Sequence, residues 1–250
     1  MTSGVSAGVR VNRFLAERGV ASRRAADRMV GEGRITINGV IATLGTIIDP
    51  DRDTVWVDGR PVPPPSKRRT LMLNKPAGVV TTRSDPQGRP TVLDLLEDPA
   101  GLFPVGRLDA DSRGLLLLTT DGELTLRLTH PRHGVTKRYR ATVRGRVTPR
   151  VLRALTQGVL LSDGIARALA ASVVDSRREG DVVEVVMSEG RRREVRRLFA
   201  ALDTVVVDLV RVAVGPVMLG RLREGTARPL TPHEDAALRR AAGLEPVARR

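Results

Sequence analysis

Hydrophobic residues recur along this chain first at helical spacing and then at strand spacing. Val11, Phe14 and Leu15 repeat at three and four residues, which predicts a helix over 9–19 that Gly19 ends. Ser22 stands as a cap before a second helix. Ala25, Ala26, Met29 and Val30 form its apolar side, Arg23, Arg24 and Arg28 crowd the other, and Gly31 and Gly33 stop it. Arg34-Ile35-Thr36-Ile37 alternates as a strand does. Asn38-Gly39 is a strong hairpin signal, Val40-Ile41 begins the return, and Val55-Trp56-Val57 is a further strand up to Asp58-Gly59. Pro61, Pro63, Pro64 and Pro65 bar regular helix and central strand, so the basic stretch 61–69 is expected to be a stiff spacer. Residues 1–8, small and polar, are expected to form a loose arm.

After the spacer, Leu71-Met72-Leu73 begins a strand, 74–78 reads as a turn, Val79-Val80 resumes, 84–90 is a polar loop, and 91–96 is expected to be a short helix. Leu115 to Leu118 are four consecutive leucines between charged and turn residues, which reads as a central buried strand. Asp121 is placed to cap a helix through Leu124 and Leu128, closed off by Pro131. Residues 137–143 form a strand. Thr148-Pro149 opens a helix carrying Val151, Leu152 and Leu155, stopped by Gly158. Strands follow at 168–174 and 181–187, a helix at 191–201, strands at 205–212 and 217–222, and a last helix capped by Thr231-Pro232. Strands and helices mix without a regular βαβ rhythm. The expected class is α+β: a small helix–helix–hairpin domain over 9–60, the spacer, and a larger domain over 70–240 with a mainly antiparallel mixed sheet.

Charge narrows the function. Lys and Arg exceed Asp and Glu by 42 to 28, a net +14, and a polyanion is the natural partner of such an excess. Aromatic residues are only 2%, so the core must be built from Val, Leu, Ile and Ala. The absence of cysteine excludes disulfides, thiolate nucleophiles and zinc–cysteine sites. No stretch approaches the ~20 apolar residues of a membrane span or the pattern of a secretory leader, so a soluble cytoplasmic protein without a membrane partner is expected.

Three stretches carry candidate chemistry. Gly106-Arg107-Leu108-Asp109 lies at the lip of the leucine strand, where a carboxylate beside an arginine is either a structural ion pair or a catalytic group. Tyr139, the only tyrosine, sits in the basic strand Lys137-Arg138-Tyr139-Arg140, which makes it poor core material. Arg191, Arg192, Arg193, Arg196 and Arg197 put five guanidiniums within seven residues. On a helix Arg192 and Arg196 share one face, with Arg193 and Arg197 beside them, turned to water or phosphate. His130 and His133 have no third metal ligand near them, Asp111 reads as a loop-stabilising group, and Asp121 as a helix cap.

These motifs resemble known families. Val11-Asn12-Arg13-Phe14-Leu15, Ala21-Ser22-Arg23-Arg24-Ala25-Ala26 and Gly33-Arg34-Ile35-Thr36-Ile37-Asn38-Gly39 resemble the alpha-L RNA-binding motif of ribosomal small-subunit protein four. That resemblance implies that the second helix and the turn before it lie on RNA phosphates through Arg23, Arg24 and Arg28. From about Val9 to Leu230 the chain resembles the pseudouridine synthases of the ribosomal small-subunit synthase A family, and their large-subunit branch most. The motifs are Gly106-Arg107-Leu108-Asp109, the run Gly114 to Gly122, Asn74-Lys75-Pro76-x-Gly78, Leu128-Thr129-His130-Pro131 and Arg193-Glu194-Val195-Arg196-Arg197. Ser112 stands where threonine is usual, and Leu198 where methionine is common.

The second resemblance implies an isomerase that detaches uracil from its ribose, rotates it and rejoins it through carbon 5. Asp109 matches the essential aspartate, Tyr139 the active-site tyrosine, Arg196 the basic residue pairing with the aspartate, and Arg107 the arginine that fills the gap left by a flipped nucleotide. Lys75, Arg192 and Arg197 are further expected RNA contacts. An isomerisation without redox change or phosphoryl transfer needs no cofactor and no metal. The implied partner is rRNA, free or in a ribosomal assembly intermediate, bound by a monomer. The alternatives are the same reaction on small-subunit rRNA and a non-catalytic ribosome-assembly factor. A methyltransferase would need a glycine-rich loop after its first strand, and 71–78 supplies none.

Overall fold

A computed structural model describes residues 8–64 and 68–245. Of the arm expected over 1–8 only Gly8 is among them, and residues 65–67 of the spacer lie outside them. The chain divides into two compact units, Met1–Arg69 with Ala100–Leu102, and Thr70–Pro99 with Phe103–Arg250.

The first unit contains β1 (Val9–Arg10), α1 (Val11–Glu17), α2 (Arg23–Gly31), β2 (Ile35–Ile37), β3 (Val40–Ile41), β4 (Ile47–Ile48), β5 (Val55–Val57) and β6 (Arg60–Pro61). Ser22 caps α2 by accepting from the Ala25 N–H. Asn38 and Gly39 both take positive φ, 51° and 85°, the geometry a two-residue hairpin turn requires. Antiparallel pairing orders the sheet β3-β2-β5-β6, and Ile35, Val55, Phe14, Leu15, Ala26 and Val30 share the core beneath it. Two expectations change here. The first helix begins two residues late, because Val9–Arg10 pairs with β4 instead. Pro61, expected in the spacer, forms the edge strand β6, a position proline tolerates because no ladder donor is needed there.

The second unit contains β7 (Thr70–Lys75), β8 (Phe103–Pro104), β9 (Arg113–Thr119), α3 (Gly122–Thr129), β10 (Lys137–Val143), α4 (Pro149–Gln157), β11 (Val159–Leu161), β12 (Gly164–Ala166), β13 (Ala170–Arg177), β14 (Gly180–Met187), α5 (Glu194–Ala200), β15 (Val206–Val214), β16 (Val217–Met218), β17 (Ala227–Pro229) and α6 (Pro232–Ala241). Its main sheet runs β13-β14-β10-β15-β9-β7-β17, with β16 on β15 and β8 on β9. Every ladder described is antiparallel except β9 with β15. This is the α+β architecture read from the sequence.

The four leucines of β9 are buried, two on each side, which fixes this strand in the middle. Gly114 opens the run because β15 crosses it closely. Its φ is +100°, and a Cβ there would collide with the Arg211 backbone. Two cores flank the sheet. One joins β10, β14 and β15 to α4 and α5, and the other joins β9 to α3 and α6. The expected helix at 91–96 is a pair of turns. Asp94 accepts from both the N–H and the hydroxyl of Thr91, a side chain competing with helical bonding. Asn74 and Lys75, expected in a turn, end β7 paired to β9.

Candidate active site

The loop between β8 and β9 is fixed by its backbone. Thr81 Oγ1 donates to Leu108 O at 2.7 Å, the Gly78 N–H to Ala110 O at 2.8 Å, and the Ser112 N–H to Asp109 O at 3.0 Å. Lys75 lies beneath with 0% exposure, and its ammonium donates to the carbonyls of Pro76 (2.8 Å), Ala110 (3.3 Å) and Ser112 (2.8 Å). Burial pushes its pKa down to about 8, against the attraction of Asp111 and Asp109. The expectation that Lys75 touches RNA fails on this burial: it props up the loop from inside.

Above the loop is a cleft of about 210 Å³. Arg107, Asp109 and Ser112 form one wall, Tyr139 of β10 another, and Glu189 to Val195 the third. Leu108 turns inward, 6% exposed, so Arg107 and Asp109 on either side are free to face out. Arg107 is exposed and Asp109 half-buried. Tyr139, partly buried, packs against the β10–β14–β15 core while lining the cleft. The carboxylate, the single phenol and the arginine-rich segment therefore meet at one place, although 82 to 84 residues separate Asp109 from Arg191 and Arg193 along the chain.

The Asp109 carboxylate has no hydrogen bond or ion pair among the described residues. The expected partner, Arg196, is elsewhere. Its guanidinium donates to Val206 O (2.9 Å) and Asp111 O (3.1 Å), with Nε 3.4 Å from the Asp111 carboxylate. Arg193 holds that same carboxylate bidentately, which keeps Asp111 below the usual carboxylate range. The reason lies in the helix start. Helix α5 begins at Glu194, not Arg191, because Arg193 adopts a left-handed conformation with φ +51°. Arg192 and Arg193 leave the helix and line the cleft, while Arg196 stays on it and runs under Asp111. The shared face expected for Arg192 and Arg196 does not form. Arg197 is also redirected: it grips Asp163 at 2.8 and 2.9 Å, at the tip of the β11–β12 hairpin.

One buried group near the floor could be suspected from the sequence only by its setting. Arg211 of β15 is 4% exposed, opposite Tyr139 in the ladder, and donates from Nε to Leu115 O at 2.7 Å. Its signal is an arginine inside the apolar run Val205 to Val214. In the first unit, Arg23, Arg24 and Arg28 are exposed on α2, opposite the buried Ala26 and Val30. The first turn of that helix carries no acidic residue, leaving the N–H groups that Ser22 does not cap and two guanidiniums toward solvent. His130 and His133 accept from the N–H and Nε of Arg132, and no cluster of three metal-ligating side chains occurs among the described residues. No helix there is long and apolar enough to cross a membrane.

Comparison with known proteins gives the family. Residues 69–201 match the RNA pseudouridylate synthase family and residues 9–53 the S4 domain. The chain is 42% identical over 245 residues to a protein of Aquifex aeolicus described as an RNA pseudouridine synthase, covering 97% of this chain and 98% of that one. It is 36% identical over 233 residues to the ribosomal large subunit pseudouridine synthase B of Bacillus subtilis, covering 92% and 95%. A crystal structure of a pseudouridylate synthase superposes with a TM-score of 0.66 at 33% identity, over 92% of this chain and 99% of that one.

Proposed function

The chain belongs to the RNA pseudouridylate synthase family, and from that premise we propose that it isomerises one uridine of large-subunit rRNA, with Asp109 as the reacting group. The large-subunit synthase B named among its relatives supports the choice of RNA. The observation that carries the site is the Asp109 carboxylate, half-buried, without a partner, in one cleft with Tyr139.

The reaction breaks the bond from ribose C1′ to N1, forms a bond from C1′ to C5, and moves the C5 proton away while N1 gains one. None of these atoms is reachable while the uridine is stacked, so the nucleotide turns out of its helix. Arg107, exposed at the rim, takes its place in the stack as a planar guanidinium. Asp109 then attacks C1′ or removes the proton from its neighbour C2′. A carboxylate not engaged by a cation keeps its lone pairs for either step. Tyr139 stacks on the released base, and its hydroxyl relays the C5 proton, taking it up as it passes its own proton to solvent. Arg192 at the opposite wall receives the flanking phosphate. Arg23, Arg24 and Arg28 give the first unit its own hold on RNA phosphates.

Mapping pseudouridine across both rRNAs in cells with and without this protein tests the reading. Loss of one large-subunit site is the expected result. A missing small-subunit site moves the target, and no missing site favours the assembly-factor alternative. Asp109→Asn should abolish product while RNA binding survives, and full turnover in that variant removes Asp109 from the chemistry.

A further inference from the structure

The proposed mechanism uses one face of β10. Tyr139, Ala141 and Val143 point into the core shared with α4 and α5. Arg138 and Arg140 alternate to the other side, where both are exposed, and Arg144 continues past the end of the strand. Arg138 and Arg140 share a single carboxylate, Glu184, at 3.5 and 3.4 Å. At Arg144 this side opens into a concavity of about 450 Å³ formed with the β13–β14 turn. Arg144, Arg177 and Arg178 converge on it around Thr142 and Val207, and the exposed Glu179 also lines it, so three guanidiniums face one carboxylate. Arg177 is engaged by Asp175 at 2.8 Å. Arg144 and Arg178 have no carboxylate within ion-pair distance among the described residues. Val205 and Val207 beside them are 53% and 52% exposed.

Unpaired guanidiniums around a shallow depression with exposed valines match a ribose–phosphate backbone. Guanidiniums take phosphate oxygens in pairs, and small apolar side chains lie against sugars. Arg144 is five residues along the strand from Tyr139, about 16 Å. That distance equals roughly five stacked nucleotides at about 3.4 Å each. The two side chains lie on opposite sides of β10, so RNA flanking a uridine held at Tyr139 reaches Arg144 by passing round the end of the strand, and about five nucleotides is the shortest such path. We propose that Arg144 and Arg178 form a second RNA-phosphate site in the catalytic unit, which grips substrate at least about five nucleotides from the isomerised uridine. This rests on the reading of the cleft as the uridine site, and it makes the enzyme's choice of substrate depend on flanking RNA.

The test crosses protein substitutions with RNA length. Affinity of the full-length protein is measured at several salt concentrations for nested RNAs cut back from either side of the modified uridine. Arg144→Ala/Arg178→Ala is compared with Arg150→Ala/Arg153→Ala, which removes the same charge from exposed positions on α4. On long RNA the first variant should bind several-fold more weakly, with a salt slope smaller by about 1.4–1.8. On RNA cut to fewer than about five flanking nucleotides on the relevant side, it should match wild type. Equal affinity at every length overturns the proposal. So does a loss that ignores RNA length, or an equal loss in the α4 variant, since either reports bulk charge or another kind of partner. Turnover is read separately: a wild type that makes no pseudouridine overturns the reading of the cleft, while the binding series still decides the surface.

Discussion

Arg193 and Asp111 hold each other through two hydrogen bonds, Nη1 to Oδ1 at 3.1 Å and Nη2 to Oδ2 at 2.8 Å. Arg196 adds a third hold by donating to the Asp111 carbonyl at 3.1 Å. Asp111 thus fastens the loop before β9 to the arginine-rich segment before α5, and Asp109, two residues earlier, remains unclaimed. The division of labour is between neighbours: one carboxylate ties the walls of the cleft together, and the other stays available.

Removing that tie should affect catalysis more than stability. Both partners are close to half exposed, so the pair itself contributes no more than an ordinary surface ion pair, under about 1 kcal/mol. Asp111→Ala is therefore expected to melt close to wild type and yet lose about tenfold or more in kcat/KM, because Arg193 and the Asp109 loop lose their common anchor. Thermal unfolding and steady-state turnover on an RNA transcript check this. Unchanged turnover would mean the walls hold their spacing without Asp111.

Lys75 acts at the opposite extreme of burial. Lys75→Met strips three carbonyls of their donor and should cost roughly 1–3 kcal/mol, and turnover should fall as the Asp109 loop loosens. The pH dependence has a definite sign. The folded pKa, about 8, lies below the ordinary lysine value of 10.5, so between these values the unfolded chain binds more protons. This group therefore adds stability as pH rises from about 8 to 10.5. Denaturant titrations of wild type and variant across that window should show a rise in the difference, and a flat difference would contradict it.

Much of the architecture was legible because local rules and tertiary context agreed. Asn38-Gly39 met the positive φ its hairpin needs, and Leu115 to Leu118 fitted no environment but a covered strand. Thr231 and Glu234 close a reciprocal capping box at the start of α6. What escaped was set by context. No propensity rule makes an arginine left-handed, so the start of α5 and the fate of Arg196 could not be read from spacing. The β11–β12 hairpin leaves Leu160 and Ile165 78% and 66% exposed, so its pattern does not announce a buried face. Lys75 reads as a surface cation in any window, and only the loop folded over it makes it interior.

Tyr139 separates packing from proton transfer. Tyr139→Phe keeps the ring against the β10–β14–β15 core, so folding and RNA affinity should stay near wild type. If the hydroxyl relays the C5 proton, single-turnover rates should drop by about 10²–10⁴-fold, the usual worth of a positioned proton-transfer group. A phenylalanine variant as fast as wild type would reduce Tyr139 to a stacking platform.

The arginines of α2 offer the cleanest electrostatic test. Arg23, Arg24 and Arg28 are exposed, and the Ser22 cap and the buried Ala26 and Val30 that hold the helix are untouched by their removal. Changing all three to Ala should therefore leave the melting temperature within a few degrees while weakening RNA binding at low salt. Each phosphate left without its arginine should reduce the slope of log affinity against log salt by about 0.7–0.9, or a little over two in total. Turnover at saturating RNA should persist, because Asp109 and Tyr139 are left in place. A slope equal to that of wild type would show that this helix faces water rather than phosphate.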